Sequence, residues 1–135
     1  MIEFAVKALI FNGDKFLAVH QRNIRSPRFE LPGGRMEFGE TAEETVIREV
    51  MEETGLIISP VSLVDTWNYV TDTRQITGVI YLCIAKNCDE VVLSEEHDQF
   101  EWLATDAESL EKMNRLFKPQ MLTWDWDSLR AMSEM

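Results

Sequence analysis

Residues 31–56 read LPGGRMEFGETAEETVIREVMEETGL, and they hold seven glutamates against two arginines, Arg35 and Arg48. Thr41-Ala42-Glu43-Glu44 has the form of a capping box, in which the Thr41 hydroxyl accepts from the Glu44 amide while the Glu44 carboxylate reaches back. A helix therefore begins near Ala42. Gly55 supplies the left-handed residue that commonly ends one, giving a helix of about thirteen residues. At ~100° per residue, Val46, Ile47, Val50 and Met51 share one broad arc, while Glu49, Glu52 and Glu53 fall on the other side. The spacing predicts an apolar face toward a core and a carboxylate face away from it.

Like charges at spacings of three and four repel, by roughly a few tenths of a kcal/mol per pair on an exposed helix and by more where the site is partly buried. Arg48, four residues after Glu44 and four before Glu52, offsets part of this charge and can orient a carboxylate with its planar fork. The rest calls for another positive partner. Carboxylate oxygens are hard ligands, so the natural partner is Mg²⁺ or Mn²⁺, with water and substrate phosphates completing the shell. Glycines just upstream let the backbone turn sharply and aim a carbonyl oxygen at the same ions.

A glutamate-rich helix taken alone is more often just a solvated face. The full spacing decides the matter. Gly34 is followed after five residues by Glu40, and after seven more by Arg48-Glu49, apolar Val50, any residue, Glu52-Glu53, any residue, Gly55 and apolar Leu56. With this box complete, the chain resembles the Nudix hydrolases. Leu31-Pro32-Gly33-Gly34 leading into the box, and the acidic stretch Glu95-Glu96-His97-Asp98-Gln99-Phe100-Glu101 before Trp102, extend the resemblance.

The resemblance implies an α/β Nudix fold, a mixed β-sheet sandwiched between helices (α/β/α), as a single domain over residues 1–135. It implies a hydrolase that cleaves the diphosphate bond of a nucleoside diphosphate-linked substrate with Mg²⁺ or Mn²⁺. Carried across by position, Glu52 and Glu53 are the main metal ligands, Glu49 is a further ligand or the base, and the Gly33 carbonyl adds an oxygen. Arg48 holds a catalytic carboxylate, and Glu40 is structural or an outer-shell ligand. Glu96 is the candidate in the later loop for both base and ligand, with Glu95 second. Which carboxylate deprotonates water stays open.

Small size and bare architecture favour a MutT-like nucleoside triphosphate pyrophosphohydrolase. Dinucleoside polyphosphates, ADP-ribose and nucleotide sugars remain alternatives. ADP-ribose hydrolases of this family tend to carry a proline about fifteen residues past the box, where this chain reads Tyr69-Val70-Thr71-Asp72. A non-catalytic binding module is a further alternative, disfavoured by the intact box.

Outside the box, residues 3–11 and 15–21 are apolar, β-favouring runs around Asn12-Gly13-Asp14, which reads as a β-hairpin. Residues 61–70 and 76–84 read as another strand pair, and 100–103 as a short strand. Thr105-Asp106-Ala107-Glu108 is a second capping-box pattern, opening a helix expected to reach about Phe117, with Pro119 as its breaker. A last short helix is expected over Trp126–Met132. Arg22, Arg25 and Arg28, in the loop before the box, are candidates to clamp substrate phosphates. Trp67 and Tyr69 alternate along a strand and so share a face, where stacking on a base competes with core packing. His97 is either a site contact or an incidental loop residue, and His20 carries no assignment.

The chain has 135 residues, 45% hydrophobic and 27% charged, enough for one globular domain. A net charge of −11 argues against a nucleic-acid polymer as partner, but not against a phosphorylated small molecule met through a cation. The partner expected is a small-molecule nucleotide. Cys83 and Cys88 form neither a zinc pattern nor a disulfide framework and are read as free thiols of a reducing compartment. Charged Glu3 and Lys7 interrupt the apolar N-terminal stretch, so neither a membrane span nor a leader is expected, and the cytoplasm is the expected location. Many relatives are dimers; whether this chain forms a homodimer is left open.

Overall fold

The hairpin organises the sheet. In the computed structural model, which describes residues 1–135, β1 (Ile2–Asn12) turns through Gly13, in the left-handed region at φ 67°, into β2 (Lys15–Gln21). The strands pair at Phe11–Phe16 and Asn12–Lys15 and then part. The chain that precedes the helix fills the gap. Val19 and Glu30 exchange backbone hydrogen bonds of 2.9 and 2.8 Å, and the Ala8 amide donates to the Pro32 carbonyl at 2.8 Å. Next, β3 (Gly33–Arg35) runs antiparallel to Ala5–Lys7. The two glycines thus arrive where the sheet opens.

The expected second strand pair is present and longer than its apolar core suggested, as β4 (Ile58–Val70) and β5 (Gln75–Ala85). Strand β5 lies parallel to β1 and antiparallel to β4, while β6 (His97–Leu103) pairs antiparallel with β2. The mixed, six-stranded sheet has the order β4-β5-β1-β2-β6, with β3 also on β1. Alternation along β1 sends Val6, Ala8 and Ile10 to one face and Ala5, Leu9 and Phe11 to the other. The helix α1 (Ala42–Thr54) covers the first face through Val46 and Val50. The C-terminal segment covers the second through Leu110, Met113, Phe117, Met121 and Leu129. The expected sandwich of sheet between helical layers is what forms.

The C-terminal layer departs from expectation. Asp106, not Thr105, caps α2 (Ala107–Leu110), its carboxylate accepting from the Ser109 amide at 3.3 Å, and the helix stops after four residues. Strand-like pairing takes over its continuation: Phe29 N–H donates to the Lys112 carbonyl at 2.8 Å, and Asn114 N–H donates to the Phe29 carbonyl at 2.9 Å. Pro119 begins a helix and does not break one. It sits in the first turn of α3 (Lys118–Met121), where a missing N–H leaves nothing unpaired. The last helix, α4 (Trp126–Ser133), lies where it was expected. Helices of four residues have no stability of their own. Burial holds them, at roughly 2 kcal/mol for each fully enclosed Leu, Met or Phe. No helix is long and apolar enough to cross a membrane.

Candidate active site

The box helix is built as its sequence requires. Thr41 Oγ1 accepts from the Glu44 amide at 3.1 Å, Glu44 Oε1 accepts from the Thr41 amide at 2.9 Å, and Gly55 closes the helix at φ 74°. Its faces are rotated from those expected. Glu53 is 5% exposed and lies beside Val46 and Val50, whereas Ile47 and Met51 are half open to solvent. The reason lies in the glycine pair. A Cβ on Gly33 would stand 2.1 Å from the Val6 carbonyl oxygen, and one on Gly34 would stand 2.3 Å from Glu49 Oε2. Without side chains there, α1 lays its Glu49–Glu53 edge directly on backbone.

Glu53 is held by that contact. Its Oε1 accepts from the Gly33 amide at 2.7 Å. Burial pushes its carboxyl up to about 7, more than Lys7, the Gly33 N–H and His97 pull it down. A carboxyl this hard to ionise, with an oxygen fixed by backbone, is a group that a cation would satisfy. Glu49 is largely buried beside it and accepts from Arg48 Nη1 at 2.8 Å. Glu52 stands further out, 3.3 Å from the same Nη1, with its side chain 57% exposed.

Arg48 ties these carboxylates together. It donates to Glu40 at 2.6 and 2.9 Å, to Glu49, and to the Arg35 carbonyl at 3.0 Å. The Arg48 guanidinium in turn holds Glu40 down to about 2, helped by the Glu37 amide and the Thr45 hydroxyl. Glu40 is thus hydrogen-bonded to Arg48 through both carboxylate oxygens.

A cleft of about 820 Å³ opens over this edge. Gly33, Gly34, Glu49, Glu53 and Glu96 line it, and so do Arg28, Trp67 and Tyr69. Trp67 is at once core and wall: it is 6% exposed, packs on Phe117 at 5.5 Å between ring centres, and donates to the Ala5 carbonyl at 3.2 Å. Arg22 and Arg25 do not line the cleft. Arg22 is instead a buttress, donating to the carbonyls of Glu95 at 2.9 Å and His97 at 3.3 Å, which fixes the loop that carries Glu96. Arg25 is exposed in its loop.

Lys7, Glu30 and Arg115 are charged cleft residues without a site role in the sequence reading. Lys7 is buried on β1, its Nζ 3.4 Å from the Gly33 carbonyl, 3.6 Å from Glu30 Oε1 and 5.5 Å from the centre of the Trp67 ring. Burial alone would raise the Glu30 carboxyl, but Lys7 and then His97 outweigh it and the net shift is downward. Arg115 lines the cleft as well. The available signal was a charge inside an otherwise apolar run, Phe4-Ala5-Val6-Lys7-Ala8-Leu9 and Phe29-Glu30-Leu31. Such charges are buried only with partners.

His20, unassigned from sequence, anchors the wall loop. Its Nδ1 lies 2.7 Å from Asp98 Oδ1 and its Nε2 lies 2.7 Å from the Ser26 carbonyl. Both partners only accept, so the imidazolium suits the pocket. The Ser26 carbonyl and then Asp98 raise its pKa. A raised folded pKa means that the contribution is complete below the unfolded value near 6.5 and is lost as pH climbs through the folded value. His20→Gln is expected to lose on the order of 2 kcal/mol of stability at pH 6. That deficit narrows at pH 9, as thermal melts across this range will register.

Residues 1–125 match the family model described as NUDIX domain, and the chain belongs to that family. Among curated relatives it is similar to an ADP-ribose pyrophosphatase of Methanocaldococcus jannaschii, 43% identical over 65 residues, covering 47% of this chain and 38% of that protein. It is similar also to the 8-oxo-dGTP diphosphatase of Escherichia coli K12, 31% identical over 77 residues, covering 57% and 58% of the two chains. Both matches thus span less than two thirds of the relative. Among solved structures, a MutT protein from Methanosarcina mazei Go1 superposes with a TM-score of 0.80 at 26% identity, covering 94% of this chain and 95% of that one.

Proposed function

We propose that this protein is a divalent-cation-dependent pyrophosphohydrolase of nucleotides, acting on nucleoside triphosphates to release a nucleoside monophosphate and pyrophosphate. The observation that carries the reading is Glu53, buried on the Gly33 amide at the edge of a nucleotide-sized cleft and facing Glu96. The donor set fits Mg²⁺ or Mn²⁺, being rich in carboxylate oxygen. Glu49, Glu52 and Glu53 hold the cations, with Glu96 and the Gly33 carbonyl as further donors. When bound, the cations neutralise the diphosphate and acidify water.

The remaining roles belong to the chain's own groups. Arg48 keeps Glu49 in place. Glu96, on the loop fixed by Arg22, takes the proton of the attacking water. Arg28 and Arg115 meet substrate phosphate oxygens from the cleft walls, and Trp67 and Tyr69 offer the base an aromatic surface. The similarity to an 8-oxo-dGTP diphosphatase supports the triphosphate reading.

A second reading, an ADP-ribose hydrolase, is favoured by the identity to the Methanocaldococcus jannaschii pyrophosphatase. The lack of a proline near Thr71 weighs against it. A panel of nucleoside triphosphates, ADP-ribose, nucleotide sugars and dinucleoside polyphosphates, each with and without Mg²⁺ or Mn²⁺, tests both. Cation-dependent release of pyrophosphate from a triphosphate, faster than cleavage of the others, is the expected outcome. Faster cleavage of ADP-ribose transfers the assignment to the second reading. No turnover of any member makes the chain a binding module.

A further inference from the structure

His97 opens β6 with its side chain 2% exposed, and its Nδ1 is buried without any hydrogen-bond partner. Its Nε2 lies 3.7 Å from Glu30 Oε1. The residue is not loosely placed. Its amide donates to the Ser94 carbonyl at 3.2 Å, and its own carbonyl accepts from Arg22 at 3.3 Å. A ring nitrogen of His97, a carboxylate oxygen of Glu53 and one of Glu96 all lie within 4.8 Å of one another. Donor atoms bound to one small divalent cation at ~2.1 Å stand roughly 3 to 4 Å apart, so adjustments of about 1 Å would close the group on an ion.

We infer that His97 is a metal ligand, completing with Glu53 and Glu96 an inner cation position of mixed nitrogen and oxygen character. The inference rests on the cation reading of the site given above and deepens it. Glu30 supports the assignment: a ligating imidazole commonly gives its other N–H to a carboxylate, which fixes the ring and raises its basicity. The position accordingly selects among metals. Imidazole nitrogen is accepted by first-row transition ions with affinity rising from Mn²⁺ to Co²⁺, whereas Mg²⁺ takes oxygen ligands. An inner Mn²⁺ or Co²⁺ therefore binds more tightly than Mg²⁺ and through a nitrogen.

The chain has two histidines, and His20 has both nitrogens committed to Asp98 and Ser26. Any imidazole bound to metal in the tag-free protein is then His97. The test is titration of Mn²⁺ into the full chain, followed by calorimetry and by electron paramagnetic resonance with detection of ¹⁴N coupling. Wild type is expected to bind Mn²⁺ with directly coordinated imidazole nitrogen. His97→Gln is expected to lose that coupling and to bind Mn²⁺ at least about tenfold more weakly. Mn²⁺ bound without ¹⁴N coupling in the wild type would overturn the inference while leaving the hydrolase reading intact; unchanged Mn²⁺ affinity in a folded His97→Gln would do the same. A wild type that binds no Mn²⁺ overturns the inference, and turnover of the substrate panel with Mg²⁺ then decides the hydrolase reading separately. The wild-type spectrum decides even if the variant does not fold.

Discussion

Glu53→Gln is expected to lower turnover of a nucleoside triphosphate at least about a hundredfold with saturating Mg²⁺, the scale on which single electrostatic catalytic groups act. The same variant should gain stability without metal. Glu53 is 5% exposed, and burial lifts its carboxyl from 4.5 to about 7. An acid whose folded pKa exceeds its unfolded value holds its proton more tightly when folded. The contribution of Glu53 to cation-free stability is therefore greatest below pH 4.5, falls as pH rises toward 7, and is flat beyond. The loss is on the order of 3 kcal/mol. Glutamine carries no charge to desolvate, and its amide oxygen can still accept from the Gly33 N–H. At pH 8 without metal, Glu53→Gln is expected to melt at least about 3 °C above the wild type. Adding Mg²⁺ or Mn²⁺ should raise the wild-type melt and leave the variant's unmoved. Near-normal turnover, or a variant that melts lower than the wild type at pH 8, would remove Glu53 from the centre of the site.

The rotated face of α1 shows where a sequence stops being readable. Its start, end and charge were legible because capping and termination are local chemistry, settled by Thr41 and Glu44 within the first turn and by Gly55 just past the last. Which face is buried depends on what lies opposite, and opposite Glu53 lies backbone without side chains, not an apolar surface. Hydrophobic periodicity assumes that burial goes with apolar residues, so it assigned Ile47 and Met51 to the core and Glu53 to solvent. The pairing of Phe29 with the segment around Met113 was equally out of reach. It joins residues distant in sequence and cuts short a helix that composition alone would continue. The strands fared better, since a period of two and a turn at Asn12-Gly13 leave little choice of register. Of the candidate site, the box brings Glu49 and Glu53 to the cleft and Arg48 onto Glu49. Lys7, Glu30 and Arg115 came from elements whose convergence only the split between β1 and β2 produces.

Gly33→Ala is expected to be strongly destabilising. The new Cβ would stand 2.1 Å from the Val6 carbonyl oxygen and 2.7 Å from Lys7 Cα, both backbone atoms of a central strand. Those atoms cannot retreat without disturbing the register that joins Val6 to Val79 and Lys7 to Ile80. The residue also sits at φ 136°, where L side chains are strained whatever the space. Strain and overlap together are expected to cost at least about 3 kcal/mol. Gly13→Ala separates the two terms: φ is 67°, nothing lies within 4 Å of its Cβ, and a cost of about 1 kcal/mol is expected. Melting within ~2 °C of each other for the two variants would mean that the close approach at Gly33 is not real. Gly34→Ala makes a third comparison. Its Cβ would meet Glu49 Oε2 at 2.3 Å, the far end of a side chain that can swing away. That variant is expected to keep most of its stability and lose activity, because the swing takes Glu49 off Arg48 and away from the edge proposed to hold cations.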